Sequence, residues 1–373
     1  MKKILYICNS DWFFVSHRLP IAVEAKKDDF EIHIATKFSE IKIKEKLHSL
    51  GIKMHHLNIK RSSLNPLHLL TSFIQIIFLV YRIRPNIIHS ITIKPVLLGG
   101  ITSLFFPNTA HVAAITGLGY LSSTNSIRGK IIFKCTNLLY RISLLKKKQV
   151  VIFQNNDDLT YISRVCNLNT TNRILIPGSG VDLKEFTPNK TPTGKPIVLF
   201  AARLLKSKGI FEFVNAAEKS KGARFVIAGK LDFDNPDCIQ KEILEEWVNK
   251  NIIEYWGYQK DMKNVIAKCT IITLPSFYAE GLPRILIEAA ACGKPIVTTN
   301  KPGCRDAIID GKTGLLIPAK DSTSLYNAIQ TILKSSQLQK DMGKAARKFA
   351  ENKFNISTVI NTHLDIYNNL LFE

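Results

Sequence analysis

The residues best suited to chemistry lie in one stretch, residues 276–293, which carries two carboxylates eight positions apart, Glu280 and Glu288. In one continuous helix they would stand about 12 Å apart along the axis. Gly281 and Pro283 intervene, and proline is tolerated at a helix start but poorly inside one. The spacing therefore predicts a loop carrying Glu280 and a helix from Pro283, with Glu288 in its second turn and Gly293 just past its end. The amides of Arg284, Ile285 and Leu286 then fall in the first turn, without intrahelical partners and on the positive end of the helix dipole, which suits a phosphate. Carboxylates beside that phosphate do not stabilise its charge, but they accept hydrogen bonds from sugar hydroxyls. The pattern fits a nucleotide-sugar, its diphosphate at the helix start and one carboxylate toward each sugar. A capped amphipathic helix with a buried glutamate fits the same spacing.

A second candidate follows the apolar run 197–202. Arg203 and Lys208 precede Gly209 and a helical pattern, a strand-to-helix loop with phosphate-binding chemistry. Asp232 and Asp234 form a D-x-D triplet, which elsewhere can hold a metal; the triplet is short, and an acidic surface loop near the nucleotide is the better reading.

The stretch with Glu280, Gly281, Leu282, Pro283, Glu288, Ala289, Ala291 and Gly293 resembles the E-x7-E signature of glycosyltransferase family 4, whose members are retaining enzymes of the GT-B fold. Arg203, Lys208 and Gly209 are similar to that family's R-x4-K-G segment, and Pro177, Gly180, Val181 and Asp182 to the segment leading into its second domain. The resemblance implies two Rossmann-like domains facing across a cleft, with a last helix crossing back to the first. It implies that residues 1–180 bind the acceptor at a membrane, residues 181–355 bind the donor, and residues 356–373 pack on the first domain. It implies that Glu280 meets the donor sugar, that Glu288 meets the nucleotide ribose, and that Arg203 and Lys208 neutralise the donor diphosphate. Gly281, Leu282, Pro283, Arg284, Ile285 and Leu286 complete the donor site. No metal and no cofactor are expected, the UDP-sugar being a substrate.

The elements that must position these residues read as α/β. Strands are predicted over 4–8, 31–35, 86–91, 111–115, 150–154, 197–202, 223–229, 253–257, 270–275 and 294–299, alternating with helical stretches, the signature of parallel sheets. Ligands bind at the C-terminal edges of such strands. Residues 9–20, after the first strand, read as a loop with Trp12, Phe13, Phe14 and His17 where most of the family has glycines. These aromatics face an acceptor or a membrane, or pack under the next helix. Lys94 follows the third of these strands and Thr116 and Gly117 the fourth, so His17, Lys94, Thr116 and Gly117 are candidate acceptor contacts. His89, mid-strand, reads as a core histidine.

Composition sets the compartment and the partners. Seven scattered cysteines without C-x-x-C pairs fit reduced thiols in the cytoplasm. The opening MKKILYIC breaks at Asn9, too early for a signal core, and reads as a strand. The net charge is +21, and residues 46–156 hold fourteen Lys and Arg and no Asp or Glu. So one-sided a half is drawn to an anionic surface or substrate. Residues 126–148 mix Arg128, Lys130, Lys134, Arg141 and Lys146–Lys148 with apolar residues, a pattern suited to lying on anionic lipid. The apolar part of residues 65–81, about 15 residues, is short of the roughly 20 that span a bilayer, so a buried or interfacial helix is predicted there. The wording of residues 12–20 (WFFVSHRLP), 92–95 (TIKP) and 116–120 (TGLGY) resembles transferases that extend undecaprenyl-diphosphate-linked saccharides, commonly from UDP-N-acetylhexosamines, in surface polysaccharide assembly. That implies a peripheral enzyme on the inner face of the cytoplasmic membrane, with a UDP-sugar donor, a polyprenyl-diphosphate-linked acceptor, an anionic membrane surface and no nucleic-acid partner. A UDP-N-acetylhexosamine 2-epimerase on the same fold and a non-catalytic membrane scaffold are the rival readings.

Overall fold

A computed structural model describes residues 1–59, 65–119, 127–189 and 194–372. Two compact units result: Met1–Ser179 together with the chain from Ser357 onward, and Gly180–Ile356.

The first unit holds seven parallel strands: β1 (Lys2–Cys8), β2 (Phe30–Thr36), β3 (Lys53–His56), β4 (Ile87–Ile91), β5 (Ala110–Ile115), β6 (Gln149–Phe153) and β7 (Arg173–Leu175), in the order 3-2-1-4-5-6-7. The second holds six: β8 (Ile197–Ala201), β9 (Arg224–Ala228), β10 (Glu254–Gly257), β11 (Ile271–Leu274), β12 (Ile296–Thr299) and β13 (Gly314–Ile317), in the order 10-9-8-11-12-13. Each sheet grows one way from its first strand and then the other. The direction reverses between β1 and β4 and between β8 and β11, where a crevice opens at the carboxyl ends of the strands.

The central strands are continuous apolar runs because helices cover both of their faces. In β1, Ile4, Tyr6 and Cys8 pack beneath the helices Leu19–Lys27 and Ile356–Phe372, while Leu5 and Ile7 meet the helix Pro66–Ile83. The last helix sinks Val359, Ile366, Tyr367 and Leu370 into the first unit's core. There the Tyr367 hydroxyl lies 3.0 Å from that of Tyr6 and 2.7 Å from His89 Nδ1. His89 is fully buried, and its burial holds its pKa well below the usual imidazole value.

Three sequence expectations change. Residues 9–20 are not an open loop: a helix runs over Asp11–His17, ahead of the expected helix before β2, which spans Leu19–Lys27. Buried Asp11 accepts from the Ser39 amide at 2.6 Å, and Phe14 is fully buried edge-on to Tyr6, so one face of this aromatic run belongs to the core. The short strands β3, β7 and β13 were not foreseen; β3 and β7 sit at sheet edges with no fully buried residue. Lys146 does not face lipid. It is buried and donates to the carbonyls of Ser103 (2.7 Å) and Phe106 (3.0 Å), capping the helix Ile93–Leu104. Tyr120 and residues 121–126 lie outside the described residues, as do residues 190–193 of the Pro- and Thr-rich linker.

Candidate active site

The second sheet's reversal point gathers the charged residues. Arg203 follows β8, Lys208 ends the tight turn after it, and Glu280 lies in the loop after β11. The loops are tied together: the Phe277 amide donates to the Ser207 carbonyl at 3.0 Å, and the Ser276 hydroxyl to the same oxygen at 3.2 Å. Gly209 permits the approach. It has φ +79°, and a Cβ there would stand 2.1 Å from the Pro275 carbonyl oxygen. Beneath Glu280 the backbone is fixed by Gly303, whose absent Cβ would meet the carbonyl oxygens of Gly281 at 2.3 Å and Glu280 at 2.6 Å.

Lys208 Nζ lies 2.5 Å from Glu280 Oε2, both side chains mostly buried. The ammonium also sits 5.6 Å from the Tyr278 ring centre. Cys304 is buried nearby, and burial pushes its thiol up to about 12, which leaves it inert as a nucleophile. Arg203 does not stand alone: its Nη1 donates to Asp232 Oδ2 at 2.6 Å. Asp232 thus belongs to the site, a partner the sequence reading of the acidic loop did not assign. Among the described residues no cluster of three or more His, Cys, Asp or Glu is arranged to hold a metal.

The helix after this loop runs Arg284–Ala291 with Pro283 as its N-cap. Its first turn departs from expectation at one amide, because Leu286 N–H donates to the Pro283 carbonyl at 3.1 Å. Leu282 and Leu286 turn their side chains into the core, so either would meet a ligand through its backbone only. Glu288 is buried at 5% exposure and accepts from Arg284 Nε at 2.6 Å. Burial raises its pKa above the usual carboxylate value, and Arg284 opposes the rise. The Glu288 carboxylate is thus held from its outer side by a partly exposed arginine.

The acceptor candidates fall in the first unit, beyond the ends of the adjacent strands β1, β4 and β5. His17 ends the helix Asp11–His17, stacks on Phe13 at 4.0 Å and has Nδ1 2.6 Å from the Ser16 hydroxyl. Lys94 lies in the first turn of the helix Ile93–Leu104, and burial lowers its pKa to about 8. Thr116 and Gly117 follow β5, Gly117 with φ +109°. Two features of this edge escaped the sequence reading. Thr92 holds φ +74° and ψ 166°, a region nearly reserved for glycine and often retained at functional sites. Arg18 is buried at 1% exposure with Nη1 on the His17 carbonyl (3.0 Å), and among the described residues no carboxylate pairs with it.

Two parallel sheets, each with charged or strained residues at its reversal point, make up the two Rossmann-like domains of the GT-B fold. Residues 182–349 match the model of glycosyl transferases group 1, and residues 3–155 that of the glycosyl transferase 4-like proteins. The two matches take in most of the chain, which belongs to this glycosyltransferase family. It is 28% identical over 368 residues to the N,N'-diacetylbacillosaminyl-diphospho-undecaprenol alpha-1,3-N-acetylgalactosaminyltransferase of Campylobacter jejuni subsp. jejuni serotype O:2, covering 95% of each chain. Among solved structures, sucrose-phosphate synthase from Thermosynechococcus elongatus superimposes with a TM-score of 0.82 at 19% identity over 99% of both chains. The Anabaena HepE structure in complex with UDP gives 0.77 at 17% identity, over 99% of this chain and 100% of that one.

Proposed function

We propose that this chain is a retaining, metal-independent glycosyltransferase that moves an N-acetylhexosamine, GalNAc or GlcNAc, from a UDP-sugar to an undecaprenyl-diphosphate-linked saccharide. It works peripherally at the inner face of the cytoplasmic membrane in surface polysaccharide assembly, of the O-antigen or lipopolysaccharide kind. The observation that carries the reading is the Lys208–Glu280 pair at the reversal point of the second sheet, one loop from Arg203. The similarity to the Campylobacter transferase along nearly the whole chain supports the substrate class.

In this reading the donor diphosphate competes with Glu280 for Lys208. The carboxylate is then released to accept hydrogen bonds from hydroxyls of the donor sugar and fix its position. Arg203, Lys208 and the helix start after Pro283 stabilise the charge that develops on the departing diphosphate. The bond from the anomeric carbon to the diphosphate oxygen breaks as the acceptor hydroxyl oxygen attacks from the same face. Its proton passes to the leaving diphosphate, and configuration is retained without an enzymic nucleophile. Glu288 supports the ribose with Arg284, while His17, Lys94, Thr116 and Gly117 serve the acceptor.

The test is transfer of radiolabelled sugar from UDP-GalNAc and UDP-GlcNAc to a polyprenyl-diphosphate-linked monosaccharide, with and without EDTA. Extension of the lipid with retained configuration, unaffected by EDTA, is expected. Conversion of the donor to another sugar nucleotide without extension would replace the transferase with an epimerase.

A further inference from the structure

The helix Pro66–Ile83 packs Ile76, Val80 and Ile83 against the sheet, together with Leu5, Ile7 and Ile88. The outer face of such a helix is ordinarily polar. Here Leu67, Leu70, Ile74, Phe78 and Tyr81 recur every three or four residues and stand 53–71% exposed. They form one narrow apolar stripe along the whole length of the helix. The next helix but one, Ile127–Ser143, repeats the arrangement. Ile127, Ile131 and Leu138 are exposed along one line, with exposed Lys130 and Lys134 beside it. The helix Ile93–Leu104 lies between and touches both, ending in exposed Leu104 and Phe105.

Apolar side chains exposed in continuous lines rather than singly mark an interaction surface, and nothing among the described residues of its own unit covers these. Its charge names the occupant. The stripes lie in the acid-free window of residues 46–156, and the cations are placed beside them: Arg82 and Arg84 at the end of the first helix, Lys130 and Lys134 along the second. An apolar stripe flanked by cations, with a tyrosine near its end, matches the boundary between acyl chains and anionic headgroups. The first helix is 18 residues, about 27 Å long, which approaches the length of a span. Its inner face is already committed to the sheet, so it lies along the membrane rather than across it.

We propose that the helices Pro66–Ile83 and Ile127–Ser143 form a bilayer-docking face, the first inserting its Leu67–Tyr81 stripe among the acyl chains of an anionic membrane. This deepens the peripheral-membrane part of the reading above, but its test reads lipid binding alone, so loss of the transfer reaction would leave it standing.

The experiment is co-sedimentation of the full chain with vesicles of phosphatidylglycerol and phosphatidylethanolamine, at low salt and at about 0.5 M salt, where exposed charge is largely screened. Binding that persists at high salt is expected, falling at least about tenfold in Leu70→Ser/Ile74→Ser/Phe78→Ser, as loss of buried apolar area requires. The chain with Phe78→Trp gives a second readout: the emission it adds over that of the wild type with its three native tryptophans moves to shorter wavelength on vesicles and is quenched by lipids brominated along the acyl chain. A triple variant that keeps full high-salt binding would overturn the proposal. So would an added indole emission in the Phe78→Trp chain that vesicles leave unchanged, or a stripe shown by analytical ultracentrifugation to be covered by a second copy that the triple variant releases.

Discussion

The two units share one plan and differ on their outsides. In the second unit, outward helices carry i,i+4 ion pairs, Lys241–Glu245 and Lys250–Glu246 on or beside the helix Lys241–Asn249 and Arg347–Glu351 on the helix Ser336–Lys353. In the first unit, the helix Pro66–Ile83 has no charged side chain until Arg82 and turns apolar side chains outward. The central strands of both sheets are buried beneath inward-facing apolar side chains, so covering the sheet does not require the outward apolar face. Pairs of opposite charge on a surface helix add little stability but keep it in water. Their replacement by leucine, isoleucine and phenylalanine points to a demand from outside the fold. The carboxylate-bearing loops divide likewise: the second unit pairs its cations with acids at its reversal point, whereas the first leaves Arg18 without one among the described residues.

If the units divide the work this way, changes in one leave the other's property intact. Glu280→Ala lowers turnover by at least about a hundredfold, the order of loss when a group stabilising the reacting centre is removed, and leaves vesicle binding unchanged. Near-normal turnover with either UDP-sugar would break the assignment of chemistry to the second unit. In the opposite sense, Lys130→Glu with Lys134→Glu weakens vesicle binding at low salt by about 1 kcal/mol or more per site, with the loss vanishing at high salt. Steady-state transfer to a short-chain, water-soluble acceptor stays the same; a matching loss there would mean that the basic helix serves the substrate and not the membrane.

Smaller effects sharpen the picture inside the second unit. Arg284→Ala strips buried Glu288 of its ion-pair partner and costs about 2 kcal/mol in urea unfolding, less than a fully buried pair because Arg284 meets solvent. Only the transition of the second unit moves. The pH dependence is subtler still. Burial raises the Glu288 pKa in the folded chain, so folding favours the protonated acid, and that contribution declines as pH rises past the ordinary glutamate value of about 4.3 toward the raised one. Comparing Tm across that range, Glu288→Gln declines less steeply than the wild type; parallel curves would show that the buried carboxylate is ionised without cost.

Much of the fold was legible because the central strands are uninterrupted apolar runs bounded by turns, as in Ile4–Cys8 and Ile197–Ala201. The loop and helix around Pro283 were legible because proline and glycine restrict the backbone locally. What the sequence hid was tertiary. The helix Asp11–His17 depends on Asp11 reaching Ser39 and on Phe14 finding Tyr6, neither visible in the local pattern. Lys146 looked like one lysine of a basic run until the carbonyls of Ser103 and Phe106 claimed it. The partner of Arg203 lies 29 residues away on another loop, in an acidic triplet that reads as surface. The outward stripe of Pro66–Ile83 was hidden for the opposite reason: a helix apolar all round predicts burial or a membrane alike, and only exposure separates them.

The most direct measurement is transfer of labelled sugar from UDP-GalNAc and UDP-GlcNAc to a polyprenyl-diphosphate-linked monosaccharide, run side by side with the wild type and Glu280→Ala. An extended lipid product from one donor is expected, formed by the wild type and all but lost in the variant. Equal extension by both proteins, or no extension from either donor, would contradict it.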